Sequence, residues 1–116
     1  MSLEIDPDLA KLAPNHPLRQ HRDWAIAYPK GKTGRLYFDP GNPAARVFVE
    51  DSILEAVRAY DIDGVHFDDF FYPYPEQGQD FPDGASYARR TDRAQSRADW
   101  RRTNVNTFVR EMSVRI

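Results

Sequence analysis

Residues 60–75 read YDIDGVHFDDFFYPYP, and the fold turns on whether this stretch contains a strand. Ile62 to Asp69 has the composition of one, with apolar and polar residues alternating until the proline-interrupted run that follows. At period two, Val65 and Phe67 share one face, and Gly64, His66 and Asp68 share the other. The predicted strand therefore closes on two adjacent carboxylates, Asp68 and Asp69.

Upstream, RLYFD at Arg35–Asp39 is short, aromatic-rich and stopped by PGNP, so a first strand is expected there. Asn42 followed by Pro43 is a helix start. The Asn side chain accepts from a free backbone N–H, and proline fills a first turn where no N–H is missed. From Pro43 to Tyr60 the residues Val49, Ile53, Ala56, Val57 and Tyr60 recur at helical spacing, which predicts an amphipathic helix of about five turns. Strand, helix and strand in this order make a parallel pair through a right-handed crossover.

Downstream, a long loop runs from Phe70 to about Ala98, with a short helix around Tyr87–Arg97. Asp99 or Ser96 caps a last helix whose apolar stripe is Val105, Phe108, Val109, Met112 and Ile116. Residues 1–34 read as irregular, interrupted by Pro7, Pro14, Pro17 and Pro29. Two parallel strands cannot cover their own faces and edges. The expected fold class is therefore α/β, a partial TIM-type (β/α) barrel with parallel strands and crossover helices, since a whole barrel needs about 250 residues. The expected organisation is an irregular leader over 1–20, opening on MSLE as an expression-derived start, and a partial barrel over 21–116. Uncovered strand edges and helix faces predict self-association.

The chain has 116 residues, a formal net charge of -2 and no cysteine. One domain is the ceiling, and the near-neutral charge gives no field to gather nucleic acid. No run of about 18 apolar residues is present, so this segment does not insert in a membrane as a helix. Without cysteine there are no disulfides, thiolate metal ligands or cysteine nucleophiles.

In β/α folds the reactive groups gather at the C-terminal ends of strands. Parity sends Asp68 into the barrel mouth with His66 a layer below, and sends Asp69 to the other side or into the loop. A carboxylate there can act as acid, base or nucleophile. The plainer alternative is an aspartate that caps the next turn. His66 with two aspartates from one strand lacks the spacing of a metal site, so neither metal nor cofactor is expected. Tyr72, Tyr74 and Phe71 offer stacking surface for a sugar ring, though packing within the loop accounts for them nearly as well. The arginines between Arg89 and Arg102 read either as a solvated helix face or, with Arg101, Arg102, Asn104 and Asn106, as donors to substrate hydroxyls.

Three stretches carry a family resemblance: LYFDPGNPAARVFVEDSILEAVRAYDIDGVHFDDFFYPYP, FPDGASYARR and DWRRTNVNTFVREM. Together they resemble the glycosyl-hydrolase-like family 10 domain, over about residues 15–116. The resemblance implies a glycosidase-related β/α barrel from bacterial proteins, many secreted or anchored in the cell envelope. It implies a polysaccharide or oligosaccharide substrate, bacterial peptidoglycan among them. It maps an acidic catalytic pair onto Asp68 and Asp69, and its WRR and Asn positions onto Trp100, Arg101, Arg102, Asn104 and Asn106. In that setting His66 tunes Asp68 or holds substrate. Glycoside hydrolysis uses two carboxylates, about 5–5.5 Å apart for retention and about 6.5–9.5 Å for inversion. Neighbours on a strand face opposite sides, so a second carboxylate beyond this segment is expected, and the segment alone is expected to be inactive. The expected function is glycoside hydrolysis by carboxylate acid/base catalysis. The alternatives are a non-catalytic glycan-binding module and a metal-dependent barrel enzyme acting on a small molecule.

Overall fold

The computed structural model describes residues 2–3, 8–31, 34–68, 71–76, 78–90 and 95–116. Strands β1 (Ser2–Leu3), β2 (Ala25–Tyr28) and β3 (Arg35–Phe38) form one antiparallel sheet with β3 in the middle. The register runs from Ala25 opposite Phe38 to Tyr28 opposite Arg35, and Ser2 and Leu3 lie opposite Tyr37 and Leu36. β3 is apolar on both faces, and both are covered. Leu36 and Phe38 join Leu12, Leu18 and Ala45 in one buried cluster. Tyr37 joins Tyr28 and Phe81 in another on the opposite side. The short helix α1 (Pro17–Gln20) and the 3₁₀ turn at Leu9–Lys11 flank Leu12 and Leu18, so residues before position 21 supply core.

Helix α2 (Pro43–Ala59) starts as its sequence predicts: Asn42 Oδ1 accepts from Ala44 N at 3.0 Å and Ala45 N at 3.4 Å, with Pro43 in the first turn. The turn before it is shaped by Asp39, whose Oδ1 accepts from Gly41 N at 2.9 Å. Helix α3 (Gly84–Arg90) lies earlier than the short helix expected around Tyr87–Arg97. Helix α4 (Arg97–Arg115) is capped by Ser96, whose side chain accepts from Asp99 N at 3.1 Å. Its buried row is Trp100, Asn104, Phe108 and Met112, an i+4 ridge. Only Phe108 and Met112 of the expected stripe belong to that row, and Val109 and Ile116 are exposed. The difference arises because a tryptophan and an asparagine extend the inward ridge where apolar counting looks for aliphatics. Phe108 and Met112 close on Leu54 of α2, with Val49 and Ile53 alongside.

The second predicted strand is not one. Residues 64–68 carry no strand pairing, and among the described residues no parallel pair exists. The reason lies in β3, whose two edges already carry antiparallel neighbours. The alternation survives without the ladder. Val65 and Phe67 are half-buried while Gly64, His66 and Asp68 are exposed. Phe67 packs edge-on against Phe108 of α4 at 5.3 Å between ring centroids, so the run is held by its side chains. The architecture is thus a mixed helix and antiparallel-sheet arrangement of α/β character.

Gly41 is fixed by contact. A Cβ there would lie 2.5 and 2.6 Å from the outer ring carbons of Trp100 and 3.0 Å from Ser86 Oγ. Gly41→Ala should therefore lower the unfolding free energy by about 1–3 kcal/mol, measured by urea titration. An unchanged midpoint would mean that Trp100 does not seat on this turn.

Candidate functional site

The best-built polar cluster surrounds Asp83, at the end of the long loop. Its side chain is wholly buried, and two arginines one helical turn apart on α4 converge on it. Arg97 Nε donates to Oδ1 at 2.7 Å, while Arg101 donates through Nε to Oδ2 at 2.8 Å and through Nη2 to Oδ1 at 2.6 Å. Both guanidinium groups also donate to the Phe81 carbonyl, at 2.7 and 3.1 Å. The arginine run is thus divided. Arg97 and Arg101 clamp the loop, Arg90 donates to Ser86 Oγ at 3.1 Å, and exposed Arg102 pairs with Asp99. A sequence count of charges cannot make that division, because it depends on which arginines share the inward side of α4 with Trp100 and Asn104.

Beside the clamp lies a hollow of about 270 Å³ lined by Tyr72, Arg101, Arg102, Val105 and Asn106. Four of the nine residues singled out as catalytic or substrate-binding meet there. Tyr72 is its anchor. The ring stands edge-on to Phe81 at 5.6 Å, the Arg101 guanidinium lies 5.6 Å from its centroid, and its hydroxyl accepts from Asn104 Nδ2 at 3.0 Å. Burial pushes the phenol well above its ordinary range, opposed by the Asn104 hydrogen bond, so Tyr72 is a neutral hydroxyl at physiological pH. Asn104 is buried and spends its amide on Tyr72; Asn106 is exposed on the outer face of α4.

The other predicted residues lie elsewhere. Asp68 is exposed at the end of the 64–68 run, and Tyr74 is exposed. Phe71 is half-buried and packs against Phe108 at 5.5 Å. His66 borders a separate apolar groove of about 610 Å³ with Phe38, Phe48, Ile53, Val57 and Val65. Asp69 lies outside the described residues.

Sequence reading missed Asp39, Asp83 and Arg97. Asp39 directly follows β3 and is buried, within a polar cleft of about 240 Å³ that Asp83, Ser86, Arg22 and Arg89 also line. Burial raises its carboxyl above the usual carboxylate range, opposed by hydrogen bonds from Ser86 and the Gly41 N–H and by the charge of Arg90. The same rule that marked Asp68, a carboxylate at the C-terminal end of a strand, marks Asp39. Asp83 had a weaker signal, as the Asp of a Pro-Asp-Gly turn that also precedes a helix. Among the described residues no cluster of His, Cys, Asp and Glu has the makings of a metal centre.

The profile of the glycosyl hydrolase-like 10 family matches residues 2–116. The chain belongs to that family. As a glycosyl hydrolase-like 10 chain it is 49% identical over 107 residues to the glycosyl hydrolase YngK of Bacillus subtilis, covering 91% of this chain and 20% of that protein. It is 34% identical over 94 residues to the glycosyl hydrolase DigH of Escherichia coli K12, covering 81% of this chain and 20% of the relative. The chain therefore spans about a fifth of the length of these curated relatives.

Tyr72→Phe deletes the acceptor of the buried Asn104 amide while leaving ring packing intact. It should cost about 1–3 kcal/mol in denaturant unfolding, the penalty of an unsatisfied buried donor. No loss would mean that the Asn104 amide has another partner.

Proposed function

We propose that this chain supplies part of the carbohydrate site of a glycoside hydrolase built on a (β/α) barrel. The observation that carries the reading is the Tyr72 hollow: a half-buried aromatic wall, a guanidinium rim and the amide of Asn106 within one sugar-sized depression. Apolar ring faces beside fork-shaped donors match the two-faced chemistry of a pyranose, with C–H groups on its faces and hydroxyls on its edge. Family membership supports a glycan as the substrate class. Tyr74, exposed beyond the hollow, extends the aromatic surface along a chain of sugars.

In this proposal Asp68 is the reacting carboxylate. It is exposed together with His66, alternating with Phe67, which packs against Phe108 of α4, and in this reading the barrel centre lies on the Asp68 side. It serves as acid/base or nucleophile, and Asp69 assists it; a second carboxylate at another strand end completes the pair that hydrolysis needs. His66 tunes Asp68 or holds substrate. The open apolar groove between α2 and residues 62–66 is the face through which isolated copies of the chain self-associate.

One observation favours a second reading: among the described residues, no carboxylate lines the Tyr72 hollow. A glycan-binding module without chemistry has the same walls. The two readings part in one experiment on a full-length protein containing this sequence. Asp68→Asn should reduce release of reducing ends from a glycan by about 10²–10⁴-fold and shift stability by less than about 0.5 kcal/mol. Wild-type turnover in that variant removes Asp68 from the chemistry. Calorimetric binding with no product from the wild type selects the module.

A further inference from the structure

Glu50 presents a problem in bonding. It is 1% exposed, yet among the described residues its Oε1 has no hydrogen-bond partner, a costly state for a buried carboxylate. Its other oxygen is satisfied, since Oε2 accepts from Arg115 Nη1 at 2.8 Å. Across the helix pair, Glu111 of α4 accepts from Arg46 Nε at 3.0 Å through Oε2 and from Nη2 at 3.4 Å through Oε1. The same Arg46 Nε lies 3.8 Å from Glu50 Oε1, so the two carboxyl groups converge on one guanidinium. Three charged groups face Glu50: Arg46 from α2, and Arg115 and Glu111 from α4. Arg115 also pairs with Asp51, and Glu111 is also influenced by Arg110.

We propose that Glu50 and Glu111 share one proton and act as a pH-sensitive clasp between α2 and α4. With the proton on Glu50 Oε1, that oxygen becomes a donor to Glu111, and the orphaned atom is explained. The pair then carries a single negative charge between Arg46 and Arg115. Without the proton, two carboxylates face each other and one has a desolvated oxygen with nothing to accept. The hollow of about 400 Å³ beside them, lined by Val47, Glu50, Arg110, Glu111, Val114 and Arg115, is where water reaches the separated carboxylates as the clasp loosens.

The directions in which the two groups are displaced agree with this geometry. Glu50 is raised, first by burial and then by the neighbouring Glu111. Glu111 is lowered, first by the neighbouring Glu50 and then by Arg46. The stability from Glu50 is complete below the ordinary glutamate value and is lost as pH rises through its raised folded value. The stability from Glu111 is present above the ordinary value and is lost as pH falls through its lowered one. The clasp is tightest between the two and weakens toward alkaline pH. Because Phe108 and Met112 pack on Leu54 just inside it, the clasp governs how firmly the C-terminal half of α4 is held. This inference does not depend on the carbohydrate reading.

The test is Glu50→Gln, whose amide donates to Glu111 at every pH. Wild type and E50Q should melt together near pH 4, and E50Q should melt about 4 °C or more above wild type at pH 8. Carboxyl ¹³C titration of the wild type should give Glu50 a midpoint above the ordinary glutamate range, and Glu111→Gln should bring that midpoint down. Parallel melting curves across pH for wild type and E50Q, or a Glu50 midpoint unmoved by E111Q, would overturn the proposal.

Discussion

A single desolvated carboxylate organises this chain. The Asp83 side chain has no contact with solvent, and a charge in that position persists only if it is paired and hydrogen-bonded on both oxygens. Arg97 and Arg101 meet that demand together, and because each also holds the Phe81 carbonyl, they fix the loop backbone as well as the side chain. The forked, planar guanidinium holds a carboxylate and a neighbouring carbonyl at once in a fixed geometry, which the rotatable donors of a lysine do not supply.

From that fixed point the aromatic packing follows. Phe81, set by the clamp, meets Tyr28 at 5.6 Å, Tyr37 at 5.8 Å and Tyr72 at 5.6 Å, all edge-on, and so joins the loop to the sheet. Tyr28 adds polar ties: its buried hydroxyl donates to the Gln79 carbonyl at 2.8 Å and accepts from Glu76 N at 2.7 Å. A proline-rich loop between helices thereby gains a defined path, and Tyr72 is held against α4 where the hollow forms. The same helix carries Trp100 against Gly41 at one end and the Glu50–Glu111 contact at the other, so the site and the helix pairing share one rigid element.

Much of this was legible in the residues. The Asn42-Pro43 start of α2, the Arg35–Phe38 strand and the Ser96 cap are local events, decided within a few residues by turn chemistry. The alternation of 64–68 was also legible, because period two belongs to any extended chain. Strand pairing was not, since a ladder needs a partner edge, and both edges of β3 were taken by segments read as irregular. The site divides in the same way. Tyr72, Arg101, Arg102 and Asn106 were readable as aromatic and forked donors on one helix and its adjoining loop. Asp39 and Asp83 carried only the strand-end and turn signals that many aspartates share, and the burial that sets them apart is encoded by no local pattern.

The account rests on the Asp83 clamp as the interaction that places the loop. The most direct measurement is a double-mutant cycle of Asp83→Ala and Arg101→Ala in denaturant unfolding. A bidentate pair whose carboxylate is fully buried predicts a coupling energy of about 2 kcal/mol or more. A coupling within about 0.5 kcal/mol of zero would show that the two side chains act independently, and that something other than this pair holds the loop against α4.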